Sequence, residues 1–237
     1  MIQLNKTHKG NCLELINNLD DNSIDCVITS PPYFNSSHKY QRGNGFHYSN
    51  DVGEPMYVIM DFFELVKNKI KENGTICFNL GFSYGETGVM RPFDIINRVR
   101  NKYGYFINDI IIWHKNNPIP MQKRLTNAIE YIFILNKVPK CNYYTEKYTH
   151  NVWKFSVSSK RTNHNAVFPL ELPIRCLKHF TKENDIVLDP FMGSGTTAEA
   201  CVNLNRNFIG FEINQEYCDI ANNLKPNTIQ KQLFDES

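Results

Sequence analysis

The sequence holds no Cys-x-x-Cys pair, no His-Glu-x-x-His and no apolar run near the roughly 18 residues that a membrane helix needs. Each absence removes a class of function. The seven cysteines are odd in number and scattered, which argues against a zinc ribbon or a disulfide framework and points to reduced, mostly buried thiols. The histidines show no metal-ligand spacing, so no metal site is expected. Met1-Ile2-Gln3-Leu4-Asn5-Lys6 lacks the apolar run of a signal peptide, so no membrane partner is expected and the cytoplasm is the expected location. No Lys-Ser or Lys-Thr follows the glycine-rich loop near the C-terminus, which excludes a Walker-type phosphate loop.

A large charge of one sign is also lacking, since the net charge is only +2. The distribution is less even. Lys137 to Lys182 contains nine Lys or Arg against Glu146 and Glu171 alone, and Lys115, Lys123 and Arg124 stand with no acid between Asp109 and Glu130. Such stretches suit a polyanion, although solvated basic loops are also common. At 237 residues with 41% hydrophobic content, the chain is expected to form one domain over 1–237 with a sizeable core.

Short apolar runs alternate with helical patterns. Asp25 to Ser30, Thr75 to Leu80, Asp185 to Asp189 and Asn207 to Ile213 read as buried strands; Pro55 to Lys71, Arg91 to Tyr103, Pro169 to Phe180 and Gly195 to Asn205 read as helices. Phe106 to Trp113 and Ile129 to Leu135 suggest an antiparallel hairpin at one sheet edge. With Lys9 to Leu13 as a further strand, the expectation is an α/β fold: a seven-stranded, mostly parallel sheet with helices on both faces. The stretches 34–54, 115–127 and 137–165 fit neither pattern, and loops of that length are usually functional or mobile.

Ile186-Val187-Leu188-Asp189, a glycine-rich turn and Thr196-Thr197-Ala198 form strand, tight loop and helix start. Glycine lets a ligand approach the backbone, and the helix N-terminus offers free N–H groups. Gly193-x-Gly195-x-x-Ala198, with Glu212 ending the next strand, also satisfies the loose dinucleotide fingerprint, so spacing alone leaves two cofactors open. Only 42 residues follow Gly195, so the remaining strands must come from the N-terminal part, as in a permuted fold.

Ser30-Pro31-Pro32-Tyr33 closes the Asp25 strand. Two prolines stiffen the backbone and remove two N–H donors, leaving carbonyls free to accept from another group. A base amine needs such acceptors, because its lone pair is delocalised into the ring until its N–H groups are drawn toward a tetrahedral geometry. Ser30 Oγ and the Ser30 or Pro31 carbonyl fit that task, and Tyr33 offers a face for a base rotated out of a duplex.

Together with Asp189-Pro190-Phe191-Met192-Gly193-Ser194-Gly195-Thr196-Thr197, this turn resembles the amino-methyltransferases of bacterial DNA, in the class whose catalytic motif precedes the cofactor motif. The resemblance extends through Gly10-Asn11-Cys12-Leu13-Glu14, Asp21-Asn22-Ser23-Ile24-Asp25, Glu130-Tyr131-Ile132, Phe168-Pro169 and Phe211-Glu212-Ile213. It implies a Rossmann-like fold binding S-adenosylmethionine. Asp189, Phe191, Gly193, Ser194, Gly195 and Thr196 would surround its methionine end, Glu212 its ribose hydroxyls and Asn11 with Cys12 its adenine, while Phe168-Pro169 closes the pocket. The family's usual Asp before that cysteine is Asn11 here.

A serine before Pro-Pro-Tyr is associated in this family mainly with cytosine N4, and Asp or Asn with adenine N6. Cytosine C5 chemistry is disfavoured, since no Pro-Cys turn offers a nucleophile. The resemblance places target recognition at 137–165, where Lys154, Lys160 and Arg161 alternate with Tyr143, Tyr144, Tyr148, Trp153 and Phe155; about half of these aromatics are expected in the core. Lys39, Arg42, His47, Lys115, Lys123 and Arg124 are further candidates for DNA contact. Double-stranded DNA is the expected partner, with a homodimer and a cognate restriction endonuclease also implied by the family. The rival readings are adenine N6 methylation, a dinucleotide-dependent oxidoreductase and a catalytically silent DNA-binding subunit.

Overall fold

The computed structural model describes residues 2–31, 54–81, 91–118, 120, 125–145, 150–156 and 168–224. Strand β1 (Lys6–Lys9) is followed by the short helix α1 (Cys12–Leu15), a 3-10 turn (Ile16–Asn18) and β2 (Ile24–Thr29). Then come α2 (Glu54–Lys69), β3 (Ile70–Gly81), α3 (Arg91–Tyr103), β4 (Phe106–Lys115), β5 (Ile129–Asn136) and β6 (Val152–Phe155). The chain continues through α4 (Glu171–Phe180), β7 (Ile186–Asp189), α5 (Thr196–Asn203), β8 (Asn207–Glu212) and α6 (Gln215–Asn222).

The strands form one sheet in the order β1-β8-β7-β2-β3-β5-β4-β6. Every neighbouring pair is parallel except β3 with β5 and β5 with β4, so β5 alone runs against the rest. The α/β class and the mostly parallel sheet match the sequence expectation. Three details differ. The sheet has eight strands rather than seven, because Val152–Phe155 pairs with β4 from inside a stretch that shows no strand pattern of its own. That strand takes the outer position, so the β4–β5 pair is not the sheet edge. The first strand is Lys6–Lys9 and not Lys9 to Leu13, because the Asn11 side chain accepts the Leu13 N–H at 3.0 Å and starts a helix there.

The central strands are buried on both faces, which explains their nearly unbroken apolar sequence. On one face Phe62, Phe63 and Val66 of α2 and Ile95, Ile96 and Val99 of α3 pack on Val27, Phe78 and Phe133. On the other, Leu172 and Leu177 of α4 and Ala198 and Cys201 of α5 pack on Cys26, Ile28 and Ile132. The connection from β2 to β3 therefore crosses one face and that from β7 to β8 the other. Since β2 and β7 are neighbours, the chain diverges between them, and their C-terminal ends border the crevice where open α/β sheets bind ligands. No helix among the described residues is long and apolar enough to cross a membrane.

The outer edge of β1 is closed by a side chain. Asn222 of α6 accepts the Thr7 N–H at 2.7 Å and donates to the Thr7 carbonyl at 2.9 Å, the pattern that a further strand would make. Asn222→Ala is expected to lower stability by about 1–2 kcal/mol, read as a lower urea midpoint with an unchanged denaturant slope.

Candidate active site

The site is built around a carboxylate that faces inward. Asp189 ends β7 and is 1% exposed. Its Oδ1 accepts from Thr29 Oγ1 at 2.7 Å and from the Phe191 N–H at 3.1 Å, and its Oδ2 accepts from Thr197 Oγ1 at 2.6 Å. Thr29 is the last residue of β2, and Thr197 lies in the first turn of α5. One side chain thus joins the strand carrying Ser30 to the glycine-rich loop and the helix behind it. Burial pushes the Asp189 carboxyl up to about 6, against the three hydrogen bonds that favour the charged form.

The loop after Asp189 is folded against β8. Met192 N–H donates to the Phe211 carbonyl at 3.0 Å, and the Gly193 N–H to Glu212 Oε2 at 2.9 Å. Gly193 and Gly195 have φ of 55° and 100°, the left-handed region that glycine enters without cost. A Cβ on Gly195 would stand 2.9 Å from the Ala221 Cα, whereas one on Gly193 would meet nothing within 4 Å. Gly195 thus permits close packing on α6, and Gly193 borders open space.

Glu212 also accepts the Asn214 N–H at 2.9 Å on Oε1. Burial raises its pKa. A carboxylate offers about four acceptor positions, so both oxygens keep capacity for a ligand diol. Cys12, 5% exposed, lies close enough for the Glu212 charge to raise its thiol, although burial does most in pushing it to about 12. Asn11, Cys12, Gly193 and Glu212 therefore gather at the C-terminal ends of β1, β7 and β8. Phe191 packs its ring on Phe62 with centroids 6.2 Å apart; Ser194 and Thr196 are partly exposed. Phe168 is partly buried and Pro169 is buried, just ahead of α4.

The other half of the site follows β2. Ser30 is partly exposed and Pro31 buried, while Pro32 and Tyr33 lie outside the described residues. Ser30 Oγ accepts from Asn79 Nδ2 at 3.4 Å, and the same nitrogen donates to Glu130 Oε2 at 2.8 Å. Glu130 Oε1 is 2.7 Å from Lys115 Nζ. Asn79 was not picked out by sequence patterns, and Glu130 only as part of a family stretch. A polar residue within the apolar run Ile76-Cys77-Phe78-Asn79-Leu80 is the signal that was available.

Among the basic candidates, Lys115 is turned to Glu130 with its side chain only 13% exposed, so its charge serves the sheet end instead of an open surface. Lys154 is exposed on β6. Lys39, Arg42, His47, Lys123, Arg124, Lys160 and Arg161 lie outside the described residues. Of the aromatics, Trp153 and Phe155 are buried and Tyr143 and Tyr144 exposed, while Tyr148 lies outside the described residues. No group of residues able to hold a metal ion occurs among the described residues.

The family model described as DNA methylase matches residues 24–223. The type II methyltransferase M.HinfI of Haemophilus influenzae is 31% identical, over 94% of this chain and 70% of its own length. M.SmaI of Serratia marcescens, another type II methyltransferase, is 29% identical over 90% of this chain and 87% of its own. Among solved structures, the cytosine-N4-specific PvuII DNA methyltransferase superposes with a TM-score of 0.77 over 97% of this chain and 89% of its own, at 22% identity, a likeness of fold. The structure of an M1.HpyAVI–SAM complex matches at 28% identity with a TM-score of 0.67, over 91% and 97% of the two chains.

The elevated pKa of Asp189 gives a signed prediction. Its folded value, about 6, exceeds the ordinary 3.8, so between those pH values the folded state binds the extra proton and this group favours folding increasingly as pH falls. Asp189→Asn removes that contribution. Urea unfolding from pH 6.5 down to 4.5 should show the wild type gaining about 1–2 kcal/mol relative to the variant, with no gain if the group is not buried and ionisable.

Proposed function

The chain belongs to the N6/N4 DNA methylase family, and we propose that it transfers a methyl group from S-adenosyl-L-methionine to the exocyclic N4 amine of cytosine in a short double-stranded DNA sequence. The observation that carries this reading is the Asp189 bridge, which holds the Ser30-Pro31 turn beside the glycine-rich loop.

The charges around that loop suit this cofactor. Asp189, buried at the base of the loop, raises the cost of bringing in a diphosphate and favours a cation, while Glu212 is placed for a ribose diol, which either cofactor carries. Gly193 spends its N–H on Glu212 and Gly195 donates to the Met192 carbonyl, so the loop's glycine amides are committed and do not form an anion nest. When bound, S-adenosyl-L-methionine supplies an electrophilic methyl group on a positively charged sulfur. Glu212 would accept from its ribose hydroxyls, Asn11 and Cys12 would border its adenine, and Asp189, Phe191, Gly193, Ser194, Gly195 and Thr196 its methionine end, with Phe168 and Pro169 closing over it.

Ser30 Oγ and the Ser30 or Pro31 carbonyl accept the two N–H groups of the target amine and favour the tetrahedral nitrogen that attacks. Tyr33 stacks on the flipped base. As the nitrogen–carbon bond forms and the carbon–sulfur bond breaks, one amine proton is released to water, since among the described residues no imidazole or carboxylate is hydrogen-bonded to Ser30. Residues 137–165 are the proposed target-recognition segment, and exposed Lys154 a phosphate contact. The serine of Ser30-Pro31-Pro32-Tyr33 supports cytosine over adenine.

DNA methylated by the protein and digested to nucleosides should contain N4-methylcytosine; N6-methyladenine alone would overturn the choice of base. Ser30→Ala should lower the methylation rate about 100-fold and leave cofactor affinity within about twofold of the wild type, a split that calorimetry and single-turnover kinetics resolve.

A further inference from the structure

Four consecutive strands of the sheet, β2, β3, β5 and β4, each bring one polar residue to the same end. Ser30 follows β2, Asn79 lies near the end of β3, Glu130 near the start of the reversed β5 and Lys115 ends β4. Register brings them into a row: Thr29 pairs with Phe78, Gly81 with Glu130, and Glu130 with Trp113. The row is linked without a gap, Lys115 Nζ to Glu130 Oε1 at 2.7 Å, Glu130 Oε2 to Asn79 Nδ2 at 2.8 Å, and Asn79 Nδ2 to Ser30 Oγ at 3.4 Å. We propose that Asn79 is a positioning residue for methyl transfer, its amide locked by the Lys115–Glu130 pair so that it directs the Ser30 hydroxyl toward the target amine.

Three features support a functional role beyond packing. A carboxylate oxygen can only accept, so Glu130 dictates that the Asn79 nitrogen, not its oxygen, faces the row, and the amide cannot reverse. Its orientation is therefore set by charge. The N–H reaching Ser30 occupies one acceptor position of the hydroxyl and leaves a second to receive the base amine. Finally, Asn79 Oδ1 is buried and has no hydrogen-bond partner among the described residues, in a residue only 1% exposed. Aliphatic side chains in place of both Asn79 and its acceptor Glu130 would avoid that desolvation, so stability alone does not explain the polar pair here. The same holds for the Lys115–Glu130 pair, with side chains 13% and 10% exposed, because buried pairs contribute little net stability against apolar replacements. Polar groups kept at a cost to stability beside a reacting residue fit a positioning device.

The proposal rests on the reading of Ser30 as acceptor for the amine, and its test separates the two claims. Asn79→Leu should lower the single-turnover methylation rate about 10- to 100-fold, with dissociation constants for S-adenosyl-L-methionine and duplex DNA within about twofold of wild type. If Asn79 acts through Ser30, the double variant Ser30→Ala, Asn79→Leu is no slower than Ser30→Ala alone. Should Asn79→Leu fail to fold, Glu130→Gln takes its place, with a smaller loss that likewise vanishes in the Ser30→Ala background. An unchanged rate in Asn79→Leu, or losses that multiply in the double variant, overturns the role of Asn79 and leaves the reading of Ser30 standing. A wild-type protein that methylates no DNA overturns both.

Discussion

The arrangement of this protein depends on one buried carboxylate. Asp189 lies where two parallel strands end side by side, and its three hydrogen bonds reach forward along its own loop, across to β2 and into the first turn of α5. Without it, Thr29 Oγ1, Thr197 Oγ1 and the Phe191 N–H lose a common acceptor in a region closed to water, each at a cost comparable to a lost hydrogen bond. Its burial also sets its own chemistry, since desolvation raises the carboxyl to about 6 while those three donors favour its charged form. The same contacts join the two parts of the candidate site, because the Ser30-Pro31 turn and the glycine-rich loop are far apart in sequence and this side chain links the strand before one to the helix after the other.

Electrostatics then separates two cofactors that the glycine spacing leaves open. A diphosphate-binding loop presents free amides and positive charge to its ligand. In this chain the Gly193 amide is taken by Glu212 and the Gly195 amide by the Met192 carbonyl, and the Asp189 carboxylate is buried at the base of the loop. Such a site favours a ligand with a cationic centre. The membership of the chain in the DNA methylase family and the charge pattern of its loop thus lead independently to the same chemistry.

Much of this was legible in the sequence for a local reason. The β2 and β7 strands, the Pro-Pro turn and the Gly193 to Gly195 loop are consecutive residues whose patterns state their structure directly. Strand β6 was not, because Val152-Trp153-Lys154-Phe155 is too short to show a period and becomes a strand only by pairing with β4. Its formation also moved the β4–β5 pair inward from the edge. Lys115 illustrates the same limit at the level of a side chain. As part of a basic stretch it reads as a phosphate contact, yet strand register places it against Glu130 and within the polar row that ends at Ser30. Asn79, isolated among apolar neighbours, gained its meaning only when three other strands brought partners to it.

The central claim is that the two halves joined by Asp189 perform one reaction, with cofactor binding in the loop half and amine activation in the turn half. The most direct measurement follows a labelled methyl group from S-adenosyl-L-methionine into duplex DNA, together with cofactor binding, for the wild type, Glu212→Ala and Ser30→Ala. The account predicts label in DNA for the wild type, lost binding in Glu212→Ala, and retained binding with little transfer in Ser30→Ala. No label in DNA from the wild type, or transfer by Ser30→Ala at the wild-type rate, would contradict it.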